Sequence, residues 1–307
     1  MQKQNPESVT RSSGILLVDK AEGLTSHDVV ARTRKLAQTR KVGHAGTLDP
    51  MATGLLVLGL NSSTRLLTFL VGLDKEYFAT IRLGASTSTD DREGDVVSTA
   101  PAHEVDAVTA ERIAEEVGAL RGPIEQRPSS VSAIKVDGKR AYARVRDGEE
   151  VELATRPVTV SAFEVLDERR ESGVIELDVR IECSSGTYVR ALARDLGEAL
   201  GTGGHLTALR RSRVGPFGVA EARTLEDVVV ADSILAPADV ATALFDSIAL
   251  DAQQVVDLTH GKRIAVETAD GQPYAALAPD GRLVGLLEVA NGRAKPIVNF
   301  PTDEVTS

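Results

Sequence analysis

Between Ile175 and Cys183 the apolar residues Ile175, Leu177, Val179, Ile181 and Cys183 alternate without a break with Glu176, Asp178, Arg180 and Glu182. Successive side chains of a strand point to opposite faces, so this segment reads as a strand with one face buried and the other in water. A half-wet sheet must cover its dry face, and the chain supplies a cover at once. After SSGTYVR, the residues Leu192, Ala193, Leu196, Ala199 and Leu200 share one side of a helix, and Gly201 stands where a left-handed residue would end it. Arg190 falls just past the strand end, in the first turn of that helix.

The same reading extends along the chain. KEYFATIRL, residues 75–83, puts Tyr77, Ala79, Ile81 and Leu83 on one face of a second strand. GILLVD at 14–19 is a short apolar run, followed by Thr25 and Ser26 as N-cap candidates for a helix reaching about Ala37. Within 106–121, Ile113, Val117 and Leu120 recur at helix spacing. Beyond Ser247 short β-like runs alternate with Asp270-Gly271, Asp280-Gly281 and Asn291-Gly292, dipeptides that signal hairpins. A small β domain is expected there, joined to the rest by the acidic segment 219–246.

Charge matters because of where it lies. The chain of 307 residues carries a net −10, at first sight unsuited to a polyanionic partner. From Val219 onward, however, fourteen acidic residues face six basic ones, so −8 belongs to this end and −2 to the preceding 218 residues. Arg121, Arg127, Lys135, Lys139, Arg140, Arg144 and Arg146 crowd one stretch that holds only Glu125 and Asp137 as acids. The single cysteine, Cys183, cannot close an intramolecular disulfide, and no apolar run approaches the roughly 20 residues that span a bilayer. MQKQNPESVTRS at the start lacks the apolar core of a secretion signal, and the expected location is cytoplasmic.

GHAGTLDPMATGLLVLG, residues 43–59, places Asp49 on a loop between Gly46 and Pro50, with His44 upstream. Gly and Pro fit a turn, and Asp is a common turn residue. A carboxylate ionised at neutral pH could also serve as nucleophile or base, although no neighbouring Ser or Cys completes a triad with it. His44 and Asp49 have no third ligand at a spacing that suits a metal. Spacing alone leaves turn chemistry and reaction chemistry both open.

This segment resembles the signature of the TruB family of pseudouridine synthases, which isomerise a uridine in the T loop of tRNA. Four further blocks match in order: DKAEGLTSHDVV at 19–30, KEYFATIRLGASTSTDDREGDV at 75–96, RPSSVSAIKVDGKRAYARVRDGE at 127–149, and SSGTYVRALARDLGEALGTGGHLTALRRSRVGPF at 184–217. The resemblance covers roughly residues 12–300. It departs from the family pattern at Ala21 and Ser129, where prolines are usual.

The resemblance implies an α+β fold: a synthase core of mixed, largely antiparallel sheet flanked by helices over 13–246, with an RNA-gripping insertion at about 121–150. A PUA-like β-barrel is implied over 247–302, with tails at 1–12 and 303–307. Asp49 matches the catalytic aspartate that attacks the nucleoside at C1′ or C6. Arg190 matches the arginine that pairs with this carboxylate, and an opposite charge within about 4 to 6 Å favours the ionised form. Tyr77 matches the tyrosine that stacks on the target base, and Tyr188 and Leu209 match pocket positions around it. His44 matches a histidine that fills the space vacated by the flipped base. Lys20, Lys139, Arg140, Arg210 and Arg211 are expected to contact phosphates, which position an RNA without reading it. The resemblance further implies no cofactor and no metal, tRNA as partner, no membrane, no obligate protein partner, and a monomer. An RNA-binding module without activity and a hydrolase that releases uracil are the other classes such a chain could represent.

Overall fold

The computed structural model describes residues 13–129, 135–136, 139–140 and 154–300. The chain divides into two compact units, one of residues 1–50, 54–71 and 216–307, the other of residues 51–53 and 72–215. The expected tails at 1–12 and 303–307, and most of the expected insertion at 121–150, lie outside the described residues. Of the basic stretch, Lys135–Val136 and Lys139–Arg140 form two short antiparallel strands.

In the first unit the apolar run at 14–19 is the strand Gly14–Lys20, antiparallel to Thr53–Leu60 with Gly14 opposite Leu60 and Lys20 opposite Gly54. Both are buried along nearly their whole length, and a strand covered on two faces shows no alternation. The helix Ser26–Leu36 begins at a reciprocal cap: Thr25 Oγ1 accepts the Asp28 N–H at 3.1 Å, and the Asp28 carboxylate accepts the Thr25 N–H at 2.9 Å. The short strand Val42–His44 pairs with Leu58–Leu60 and leads into the loop that carries Asp49.

The acidic segment 219–246 is woven into this unit and is more than a connector. Ile234–Leu235 pairs with Leu16 and Ile15, Val18 bridges to Arg223, and Pro237–Leu244 is a helix opened by its proline. Beyond it lies a five-stranded sheet in the order Ser247–Ala249, Gly271–Leu277, Leu283–Ala290, Arg293–Asn299, Ile264–Ala265. It packs around Ile248, Leu258, Leu287 and Val289. Asn291-Gly292 turns this sheet with φ of 54° and 68°, the double positive φ of a type I′ turn. Asp270-Gly271 is no hairpin turn. Gly271 opens a strand, and the Asp270 carboxylate accepts the Asn291 N–H at 2.8 Å.

The second unit is built on five strands, Gly204–Val214, Lys75–Leu83, Val174–Cys183, Arg156–Glu171 and Gly122–Gln126, each antiparallel to the next. The odd-numbered residues of Lys75–Leu83 and of Ile175 to Cys183 are buried. The even-numbered ones pair across strands in water, Arg82 with Glu176 at 2.6 Å and Arg180 with Glu76 at 2.7 Å. The helices Ala110–Ala119 and Val189–Leu200 supply the apolar cover. The helical stretch read at 106–121 is the helix Ala110–Ala119, which Thr109 caps by accepting the Arg112 N–H, and a separate short helix, Ala102–Asp106, precedes it. The fold is α+β with largely antiparallel sheet, as the resemblance implies, and no described helix is long and apolar enough to cross a membrane.

Candidate active site

Asp49 is half-buried on a loop whose peptides are fixed on either side of it. Before it, Ser26 Oγ donates to the Leu48 carbonyl at 3.1 Å and accepts the Leu48 N–H at 2.9 Å. After it, the Pro50 carbonyl accepts the Gly23 N–H at 2.8 Å and the Lys20 ammonium at 3.2 Å. Lys20 also donates to the carbonyls of Leu24 at 2.6 Å and Ala21 at 3.0 Å. Gly46 takes φ of 94°, a backbone state that side chains disfavour, and so lets the loop leave the strand Val42–His44. The His44 ring lies edge-on to His27, with centroids 5.9 Å apart.

In the second unit Tyr77 is 8 % exposed and stands on the dry face, directly opposite Arg211 in the register. Leu209, opposite Ala79, is the diagonal neighbour of Tyr77 on the same face. Lys75 lies two residues before Tyr77 on this face. Burial, reinforced by the Arg211 charge, brings its ammonium down to about 8. Cys183, opposite Lys75, is pushed up to about 11, chiefly by burial.

Arg190 is buried in the first turn of Val189–Leu200, and Tyr188 is the N-cap residue of that helix. Arg190 Nη1 donates to the Thr89 carbonyl at 2.8 Å and pairs with the buried Asp91 carboxylate at 3.4 Å. Asp91 Oδ1 in turn accepts from Thr89 Oγ1 and from the Glu93 N–H. Arg194 follows one turn later, on the same side of the helix, and its guanidinium lies 3.3 Å from Asp90 Oδ2. That carboxylate also accepts the Ser129 hydroxyl at 2.6 Å. Two arginines thus clamp the two adjacent aspartates of one loop. This acidic loop lies within one of the matching blocks, and its signal in the sequence is a pair of consecutive acids, Asp90 and Asp91, beside two arginines four residues apart on one helix.

Tyr77, Tyr188, Arg190, Leu209, Arg210 and Arg211 belong to the second unit, and Lys20, His44 and Asp49 to the first. Lys20 and Arg211, both expected to contact phosphates, are 0 % and 1 % exposed. The period of two separates the neighbouring arginines. Arg211 turns inward with Tyr77, while Arg210, opposite the exposed Phe78, stays half-exposed and donates to Thr53 Oγ1 at 3.4 Å. The side chains of Lys139 and Arg140 lie outside the described residues. Among the described residues no group of three His, Cys, Asp or Glu side chains is placed to hold a metal ion.

Comparison with known proteins gives the family. The solved structure described as "Crystal Structure of a Cbf5-Nop10-Gar1 Complex" matches with a TM-score of 0.71 at 26 % identity, over 98 % of this chain and 92 % of that one. The family model for "TruB family pseudouridylate synthase (N terminal domain)" matches residues 34–189. The models for "tRNA pseudouridylate synthase B C-terminal domain" and "tRNA Pseudouridine synthase II, C terminal" match 190–249 and 245–301. Fold and sequence together define a pseudouridine synthase, an isomerase. The protein named tRNA pseudouridine synthase B of Leifsonia xyli is 60 % identical over 296 residues, covering 95 % of this chain and 98 % of that protein. Its namesake in Arthrobacter sp. is 57 % identical over 303 residues, with the same two coverages of 95 % and 98 %. The chain belongs to the TruB family.

Proposed function

We propose that this chain converts the uridine at position 55 in the T loop of tRNA to pseudouridine, with Asp49 as the nucleophile. The observation that carries the reading is the loop: the peptides before and after Asp49 are both hydrogen-bonded to the segment 20–26, so the carboxylate is held ready. Positioning of a reacting group in advance lowers the entropic part of the barrier. Transfer RNA as substrate follows from the names of the 60 % and 57 % identical relatives.

The reaction is internal to one nucleotide. Asp49 attacks at C1′ or C6, the N1–C1′ bond breaks, and the freed uracil turns until C5 faces C1′. The C5–C1′ bond forms, the bond to Asp49 breaks so that its carboxylate is restored, C5 gives up its proton and N1 gains one. Tyr77 stacks on the base, Tyr188 and Leu209 line its pocket, and Arg190 takes the part of the partner guanidinium. Flipping the uridine out costs a few kcal/mol, which the His44 ring offsets in part by filling the vacancy. Lys139, Arg140 and Arg210 contact phosphates. Residues 13–246 form the catalytic domain, and 247–302 a PUA-like domain that touches the RNA as well. The protein works as a monomer in the cytoplasm.

Incubation with a T-arm stem-loop, followed by mass spectrometry and by nuclease digestion with chromatography, tests this. Unchanged RNA mass with pseudouridine at the position equivalent to 55 is the expected result. Loss of the base makes the chain a hydrolase, and an unaltered nucleoside makes it a binding module.

A further inference from the structure

Gln126 ends the strand Gly122–Gln126, is 1 % exposed, and turns both the nitrogen and the oxygen of its side-chain amide to one residue. Nε2 donates to the Tyr188 carbonyl at 3.0 Å, and Oε1 accepts the Tyr188 N–H at 2.8 Å. A primary amide used this way imitates the neighbouring strand that an extended residue would otherwise pair with, and Tyr188 is extended, with φ −100° and ψ 105°. The helix Val189–Leu200 starts immediately after it without a side-chain cap. The Tyr188 carbonyl also accepts the Leu192 N–H at 3.2 Å, so the first helical turn and the Gln126 clamp meet at one peptide.

We propose that Gln126 is a positioning residue for the isomerisation. By fixing the Tyr188 backbone it sets the direction of the Tyr188 ring and the entry angle of the turn that carries Arg190. The inference rests on reading Tyr188 and Arg190 as parts of the site. Glutamine is the residue that fits, because the clamp needs a donor and an acceptor side by side at this reach. Alanine supplies neither. Glutamate keeps an acceptor for the N–H but turns its second oxygen against the Tyr188 carbonyl. Arg190 keeps its own bonds to Thr89 and Asp91 in either variant, so the guanidinium is tilted and not released. The effect therefore falls on the chemical step, and the grip on RNA is left alone.

The test compares wild type, Gln126→Ala and Gln126→Glu by RNA dissociation constant, single-turnover rate with saturating enzyme, and thermal melting. The expected result is a rate lowered roughly tenfold or more in both variants with RNA affinity within about twofold of wild type and cooperative melting above the assay temperature. If Gln126→Ala does not fold, Gln126→Glu, which preserves volume and one bond, carries the comparison. An unchanged rate in a folded variant overturns the proposal. So does a fall in rate and affinity in step with the loss of folded protein, the pattern of a bond that only supports the fold. An inactive wild type overturns the site reading and this proposal together, whereas an active wild type beside fully active variants overturns this proposal alone.

Discussion

At Asp49 the neighbouring peptides are bound elsewhere, Leu48 to Ser26 and Pro50 to Gly23 and Lys20, so the loop has little freedom left to lose when substrate arrives. Local sequence could not separate this from an ordinary turn, because Gly and Pro fit both and the partners lie some 22 to 30 residues away. The resemblance singled out Asp49; the bracing became visible only with the fold. The adjacent Arg210 and Arg211 looked equivalent in the sequence, and only the register, which puts Arg211 beside Tyr77, sends one outward and the other inward. The buried Lys75 gives a pH signature at this scale. Its ammonium has a pKa of about 8 in the native state against 10.5 in the unfolded chain, so between these values the unfolded state binds more protons and stability rises with pH. Wild type is expected to gain stability relative to Lys75→Met as pH goes from about 8 to about 9, read by urea or thermal melts. Above about 9 the Cys183 thiol, raised to about 11, adds an opposite slope in both proteins, since the unfolded thiol ionises first. A stability difference that stays flat across this window contradicts the assignment.

The helix Val189–Leu200 shows what one element is asked to do. Its N-terminal turn presents Arg190, its next turn brings Arg194 to Asp90, and its far end packs backbone against backbone. A Cβ on Gly197 would sit 2.2 Å from both Gly203 C and Gly204 N, so no side chain fits without pushing the helix off the strand. Gly197→Ala is expected to cost ~1–3 kcal/mol, measured by urea denaturation, and a neutral effect would mean the contact is looser than described. Periodicity made this helix, its stop at Gly201 with φ of 76°, and the strands Lys75–Leu83 and Val174–Cys183 legible in advance. It did not reveal Pro237–Leu244 or Ala252–Thr259, two eight-residue helices too short for a convincing period within an acidic region rich in alanine and valine. Nor did it show what Ser129 does. Where the family pattern usually has a proline, this hydroxyl donates to Asp90 Oδ2 at 2.6 Å.

For the molecule as a whole, the charge pattern is the feature that reading by composition alone gets wrong. A net −10 argues against an RNA partner, yet family models for RNA-modifying synthases cover residues 34–301. The resolution lies in distribution: the net negative charge lies mostly after Val219, where basic residues are few, and the basic residues cluster between Arg121 and Arg146. If that cluster holds the phosphate backbone, replacing Lys139 and Arg140 by alanine weakens binding to a T-arm stem-loop and lowers the slope of log affinity against log salt by roughly 1 to 2. An unchanged slope removes these two side chains from the interface. The family and the α+β class were legible from five ordered sequence blocks. The pairing of Ile234–Leu235 with the strand Gly14–Lys20 was not, because two-residue strands carry no pattern. The most direct measurement is single-turnover conversion of a stem-loop by Asp49→Asn beside RNA affinity for the same variant. Pseudouridine formation should vanish while affinity stays within about threefold of wild type, since a nucleophile is needed for bond exchange and contributes little to holding the backbone; appreciable residual conversion would contradict the assignment of Asp49.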